Sequence, residues 1–364
     1  GVIQGATASV TELNYVAGVT SAIQTQLDGK QATDADLTDL ADGTLSASKV
    51  QHGEYFISSA GTSGQVWTSD GDSAGAWATA SSGASDVNGL SDALIETNSI
   101  YIGNDPSSTT DDAQYNIAVG TTALDAVTTG DGNTATGHSA LGSNTTGYNN
   151  TAMGYQALRD NSTGINNTAL GRATLATSTG SKNTAIGSYA LAANTTAESN
   201  TATGYMALRF NTTGSANTTS GYQAGYSNTT GYNNSFFGKN AGNNNTTGYQ
   251  NVFLGQYAGG SNTTGSNNIY IGDTAGGSST TADGNIFIGR ASGEDNITSA
   301  GNTFVGVYTG IDNTAANNTF IGSSAGKYNT TGTGNVFVGS VAGNANTTGG
   351  ANTFVGRNAG NVNT

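Results

Sequence analysis

Two histidines, His52 and His138, are the only imidazoles in the chain. Acid–base chemistry near neutral pH would therefore run through one of them or rest on carboxylates. His138 occupies a slot that elsewhere holds Tyr155, Arg172, Lys239, Gln256 or Arg290, which marks a variable surface position. His52 has no visible partner, and no serine is singled out for a Ser-His-Asp arrangement. Asp70-Gly-Asp72, and Asp131 beside Gly130, offer oxygen ligands of the kind that hold calcium, but the Asp-rich calcium loop is absent and plain turns are expected. Gly-x-Gly strings are frequent because 55 of 364 residues are glycine, yet none runs on into the Gly-Lys-Ser/Thr of a phosphate loop. There is no cysteine, hence no disulfide and no thiolate metal site. A glycan lyase or hydrolase would show an acidic pair in one stripe, whereas Asp160, Asp273 and Glu294 look scattered. The expectation is no enzyme: no catalytic, cofactor-binding or metal site, and no cofactor.

The elements that would carry any site are repeats. From Ser99 a unit recurs, beginning at Asn116, Asn133, Asn150, Asn167, Asn183 and onward to Asn352, with steps of 17 residues and two of 16. Sixteen units result. Their fifth position is always glycine, among them Gly154, Gly187, Gly255, Gly289 and Gly339. Positions twelve to fifteen often read Asn-Thr-Thr-Gly, as at Asn144–Gly147. Seventeen residues are too few for a helix pair and too many for one strand. They suit one coil of a β-solenoid: a strand, a glycine turn, a short second strand and an Asn/Gly turn. The fifth-position glycine supplies a positive φ or a close backbone approach. First-position asparagines would stack as a ladder, and turn Asn and Thr would bond their own backbone. The many Asn-x-Thr strings are read as this turn chemistry rather than as glycosylation sites. Sixteen coils at about 4.8 Å make a rod roughly 75 Å long.

A second pattern bears on packing. In the early coils position three is Ala and position nine Leu (Ala152 with Leu158, Ala185 with Leu191). From Asn234 position three is Phe or Tyr and position nine Gly, as in Phe253 with Gly259, Phe287 with Gly293 and Phe337 with Gly343. Large plus small replaces small plus large, so the two positions should share one layer of a close-packed interior. Position three points opposite to positions two and four along a strand. All three are bulky in Ile286-Phe287-Ile288 and Val336-Phe337-Val338. One face can fill the coil; the other would remain a long apolar stripe unless another copy covers it, which points to a homo-oligomer.

The coil string Asn150-Thr-Ala-Met-Gly-Tyr-Gln-Ala-Leu158, with its Asn-Thr-Thr-Gly turns, resembles repeats of bacteriophage tail fibres and large bacterial surface adhesins. Asn183-Thr-Ala-Ile-Gly187 is also similar to head repeats of trimeric autotransporter adhesins, whose unit is shorter. Thr11–Asp28, Gly61–Asp70 and Asn98–Gly103 resemble segments of phage tail fibres. The resemblance implies a homotrimeric parallel β-roll in a virion or otherwise outside the cell. Its implied partners are its own copies, a host cell-surface glycan or protein receptor, and baseplate or other fibre proteins. A bacterial adhesin or self-assembling extracellular filament is the alternative. Relatives often carry a cleaved C-terminal chaperone; this chain begins at Gly1 without a visible signal peptide and stops in mid-coil at Thr364. A processed or partial chain is expected, its last coil covered by a further domain or another molecule.

The fold class expected is thus all-β, a parallel β-solenoid or β-roll over residues 99–364. A small β-rich connector and linker covers 53–98, and a helical or coiled-coil segment covers 1–52. Leu13, Val16, Val19, Ile23 and Leu27 give the latter its three-and-four spacing. Residues 31–50 are left open as linker or second helix. Tyr55-Phe-Ile57 and Gln65-Val-Trp67 read as short β pieces, and 81–97 as linker with a helical turn around Leu90–Ile95. The formal charge is −14 and no stretch is basic, which argues against nucleic acid and anionic membranes as partners. No apolar run reaches the roughly 18–20 residues of a membrane span. Tyr148, Tyr155, Tyr189, Tyr205, Tyr222, Tyr232, Tyr249 and Tyr257 should lie on the outer surface, packed at a seam between chains or free to stack on receptor sugars.

Overall fold

A computed structural model describes residues 51–52, 55–56, 65–68, 76–79, 93–96, 98–103 and 112–362. Residues 1–50 of the expected helical segment 1–52, Asp70-Gly-Asp72, and all of the 81–97 linker but Ala93–Glu96 lie outside the described residues, and the segment's last two residues, Gln51–His52, are strand rather than helix. Before the solenoid, β1 (Gln51–His52) pairs antiparallel with β2 (Tyr55–Phe56), and β3 (Gln65–Thr68) with β4 (Ala76–Thr79). The chain divides into two compact units, 1–85 and 86–364.

The second unit is a parallel β-solenoid. It starts with β5 (Ala93–Glu96) and β6 (Ser99–Ile102). Three-residue strands then follow from β7 (Ile117–Val119) to β21 (Thr353–Val355), each in register with the next. From β6 to β21 there are sixteen stacked strands, hence about fifteen turns of about 17 residues. The helical turn expected around Leu90–Ile95 is not what forms over its described part. β5 pairs antiparallel with β6, Leu94 opposite Tyr101 and Ile95 opposite Ile100. An alternating Leu-Ile pair gains more by saturating the open edge of the first coil than a single isolated helical turn could.

The second short strand also does not form. After the fifth-position glycine the chain is turns, because positions seven and nine both sit in the left-handed region. Position seven has φ of 51–63°, from Ala173 to Val341. Position nine has φ of 49–52° at the leucines (Leu124 to Leu208) and 56–61° at the glycines (Gly225 to Gly360). The residue before each first-position Asn is left-handed as well, with φ of 55–71°. An extended strand cannot run through two left-handed residues spaced two apart.

The fifth-position glycines obey a stricter rule. From Gly120 to Gly356 their φ is 123–143°, a region essentially closed to side-chain-bearing residues. A Cβ on Gly154 or Gly187 would also lie 2.5 Å from the carbonyl oxygen of the next coil's Gly171 or Gly204. Both expected reasons for glycine therefore act at once. Gly255, Gly289 and Gly339 are placed alike, over Gly272, Gly306 and Gly356.

The interior is filled as the volume argument requires. Ala152, Leu158, Ala185 and Leu191 are fully buried in a first Ala/Leu cluster; Phe253, Phe287 and Phe337 are fully buried in a second, aromatic one. The aromatic rings from Phe236 to Phe354 stack in one column at 4.7–5.0 Å, with planes within 12° of parallel. A Cβ on Gly259 would stand 2.5 Å from the ring of Phe253, and one on Gly293 2.6 Å from that of Phe287. Positions three and nine compete for the same space. The transitional coil is small at both, with Thr219 and Gly225, and a Cβ on Gly225 would meet Leu208 of the coil before and Phe236 of the coil after.

One ring in the column carries a hydroxyl. Tyr270 is fully buried and its oxygen has no hydrogen bond. Ser279 and Asn285 lie near enough to ease its burial slightly, but neither meets it in hydrogen-bonding geometry. A buried unpaired hydroxyl costs about 1–3 kcal/mol, so Tyr270→Phe should stabilise the solenoid by about 1 kcal/mol in urea unfolding. Burial also pushes the phenol up to about 12, against about 10 unfolded. The neutral phenol's contribution is then complete below pH 10 and disappears as pH rises through 12, roughly 2–3 kcal/mol in all. The difference between wild type and Tyr270→Phe should follow that window; a pH-independent difference would contradict it.

Asparagine ladders supply the polar part of the core. From Asn116 to Asn335 each first-position Oδ1 accepts the backbone N–H of the next coil's first-position Asn, at 2.8–3.0 Å. The amide nitrogen turns back to its own coil, as Asn251 Nδ2 donates to the Gly265 carbonyl at 2.8 Å. The ladder crosses both 16-residue steps at 2.9 Å because the missing residue falls in the turn after position twelve. A second ladder, unforeseen in the sequence, runs through position twelve: Asn228 Nδ2 donates to Asn211 Oδ1, and Asn245 Nδ2 to Asn228 Oδ1, each at 2.7 Å. The threonines that follow bond across coils rather than within their own turn, as Thr229 Oγ1 donates to the Thr246 carbonyl at 3.0 Å. Asn251→Ala would strand the buried Asn268 N–H, while the Gly265 carbonyl would keep its second donor, Asn262 Nδ2. A stranded N–H costs about 1–3 kcal/mol, so a loss of roughly 2 kcal/mol is expected in denaturant unfolding, and a loss under about 0.5 kcal/mol would show the ladder to be incidental.

Candidate functional site

The register that stacks the core also stacks whatever each coil presents outside. Positions two and four of the strands form one outer sheet face. Position two is threonine in Thr151, Thr168, Thr184 and Thr201; position four carries Met153, Leu170 and Ile186 early and, after Thr203 and Ser220, an unbroken apolar row of Phe237, Leu254, Ile271, Ile288, Val305, Ile321, Val338 and Val355. Phe237, Leu254 and Ile321 are 38–47% exposed. Single exposed apolar residues are ordinary; an unbroken row from Phe237 to Val355 is not.

Aromatic and cationic side chains make further columns. The outward tyrosines are exposed, except Tyr189, which is half-buried. Tyr205 stacks on Tyr222 at 5.5 Å and Tyr232 on Tyr249 at 5.0 Å. Arg290 lies over Tyr308 at 4.7 Å, and Lys327 over Tyr328 at 4.7 Å. His138 is exposed, stacks on Tyr155 at 5.4 Å and shares a hydrogen bond of 2.9 Å between Nδ1 and Ser139 Oγ. No acid partners it in that arrangement, and the surface reading of the slot fits. His52 lies in β1, whose side chains are not described.

Asp131 is a coil-to-coil link: its Oδ1 accepts the backbone N–H of Gln114 at 2.8 Å. Among the described residues no group of three His, Cys, Asp or Glu could hold a metal ion. No family model matches the chain, and none of the curated proteins does. The coil acids are less scattered than their spacing in sequence suggested. Burial raises the Glu294 carboxyl, with Asp295 and Asp273 adding repulsion, so these three acids share a neighbourhood across adjacent coils. Asp160 stands apart from them, held below its usual range by the Arg159 guanidinium at 2.6–2.7 Å.

An open groove of about 400 Å³ interrupts the surface between positions seven and eleven of the coils that start at Asn150, Asn167, Asn183 and Asn200. Gln156, Arg159, Thr177, Tyr189, Arg209 and Phe210 line it, over alanines that include Ala176 and Ala192. Position ten is alanine in the two middle coils and arginine in the two outer ones, Arg159 and Arg209. The gap is therefore bounded by guanidinium groups. Sequence reading missed it, although the Arg-Ala-Ala-Arg order at position ten, across four successive coils, was the signal.

Proposed function

We infer that the chain is the shaft of a homotrimeric phage tail fibre that positions or performs attachment to a host surface, with no catalytic step. The observation that carries this reading is the outer sheet face. The coil fills its own interior, so the apolar row from Phe237 to Val355 has no partner within its own solenoid. Two further copies packed along that face would bury it over the length of the stack, with main-chain register setting the match from coil to coil. The likeness of the repeats and of the N-terminal strings to phage fibres supports placing the trimer on a virion. A bacterial adhesin or extracellular filament rests on the same repeat without the N-terminal strings.

Immunogold electron microscopy with antibody to the solenoid, on lysates and cells of the source culture, separates these readings. Gold on the fibres of phage particles is the expected result. Gold confined to the bacterial surface would transfer the proposal to the adhesin, and gold confined to the cell interior would overturn both.

A further inference from the structure

We propose that the groove between Arg159 and Arg209 is a binding site for an acidic oligosaccharide, one whose sugar rings carry carboxylate or sulfate groups. The proposal rests on the reading of the chain as a surface-attachment fibre and names the chemistry of what it attaches to.

Three observations converge. The first is charge. The chain carries 10 basic residues against 24 acidic ones, yet Arg159, Arg172 and Arg209 fall within four successive coils. Arg159 is paired with Asp160, whereas among the described residues Arg172 and Arg209 have no carboxylate partner. Arg209 lines the groove, and Arg172, outside the lining, lies over the lining residue Tyr189; on a strongly acidic chain these unneutralised guanidinium groups are suited to an anion supplied from outside.

The second is the way they are held. Arg209 lies 5.2 Å from the Tyr189 ring centre and 5.1 Å from that of Phe210, and its Nη1 reaches the Met206 sulfur at 3.4 Å. Arg172 lies 5.9 Å from Tyr155 and 5.3 Å from Tyr189. Rings hold these guanidinium planes in place without using up their N–H donors on carboxylates, so little ordering remains to be done on binding.

The third is shape. Arg159 and Arg209 belong to coils three steps apart, about 14 Å along the stack at strand spacing. The floor between them is alanine, and Tyr189 and the 41%-exposed Phe210 stand at its side. Gln156 and Thr177 add polar groups that can bond sugar hydroxyls. A flat, extended chain of sugars with regularly spaced anions matches an open trough of this length. The sheet face at positions two and four lies elsewhere on the coil, so covering it with other copies leaves the trough available.

The test is a saccharide array of acidic and neutral oligosaccharides of matched length, probed with the whole protein, Arg209→Gln, Tyr189→Ala and, as control, Arg290→Gln. Circular dichroism of each variant establishes that the solenoid is intact. Binding confined to acidic saccharides is expected. It should fall at least tenfold in Arg209→Gln and Tyr189→Ala, stay unchanged in Arg290→Gln, and weaken with added salt. Should Tyr189→Ala unfold, Arg209→Lys replaces it, because an ammonium keeps the charge but not the planar fork and should lose binding several-fold. No binding to any saccharide, binding to neutral ones alone, or acidic binding indifferent to Arg209 would overturn the site. A negative array together with gold on phage fibres would reject the groove and leave the fibre standing; a positive array with gold confined to the cell interior would do the reverse.

Discussion

Gly187→Ala should cost at least ~4 kcal/mol of unfolding free energy. Two penalties combine. The backbone at φ 124° lies where strain of roughly 1–3 kcal/mol attends any side chain. The new Cβ would also stand 2.5 Å from the Gly204 carbonyl oxygen, and neighbouring coils cannot separate there without breaking the hydrogen bond from Gly204 N–H to Ile186, 2.7 Å long. Stacked repeats interact chiefly with their neighbours, so a lesion in mid-stack uncouples the coils before it from those after it. Urea unfolding should become broader, with two transitions replacing one. The contrast is Ala216→Gly, at φ 57°. Release from the left-handed region, about 1–2 kcal/mol, outweighs the added freedom of the unfolded chain, and a gain of about 0.5 kcal/mol is expected. Equal and small effects of the two substitutions would mean that the coils are not stacked as closely as described.

The second large effect tests the exchange of volume between positions three and nine. Gly259→Leu places a side chain where the Phe253 ring already lies, and overpacking with left-handed strain should cost roughly 3–5 kcal/mol. Phe253→Ala empties a fully buried site in mid-column and should cost about 3–5 kcal/mol. The double substitution rebuilds the Ala/Leu pair that the chain itself uses at Ala152 and Leu158. It should be less destabilising than either single change, apart from the stacking lost to Phe236 and Tyr270. The coupling in this cycle is expected to reach about 3 kcal/mol or more. Additive costs would show that the two positions do not share a layer.

The parts of this fold that were legible in the sequence are those that repeat with an identifiable physical demand. An invariant fifth-position glycine could only mean a backbone requirement, and the opposite-signed swap at Ala152/Leu158 and Phe253/Gly259 could only mean shared volume. The first-position asparagine ladder followed from its strict recurrence. The left-handed position nine was hidden because leucine occupies it in six of the sixteen coils, and leucine gives no hint of positive φ. That concealment also produced the false second strand. The left-handed residue before each asparagine was readable in principle, since Gly132, Asn149, Asn166, Asn233, Asn267, Gly284, Gly301, Asn317 and Gly334 stand there. The cross-coil bonds of the turn threonines were missed because a local turn gives the same residue preference. β5 was misread because Leu94 and Ile95 mean nothing until the open edge of β6 is considered. The Arg-bounded groove and the Glu294 neighbourhood depend on which residues coincide from coil to coil, information present in the register but not in any one repeat.

The central claim is that the outer sheet face is covered by other copies of the same chain in an extended fibre. Light scattering of the purified protein, with electron microscopy of the same sample, tests it most directly. The account predicts a stable particle of three times the chain mass, seen as thin rods, that persists on dilution. A monodisperse particle of one chain mass, with the row from Phe237 to Val355 left in water, would contradict it.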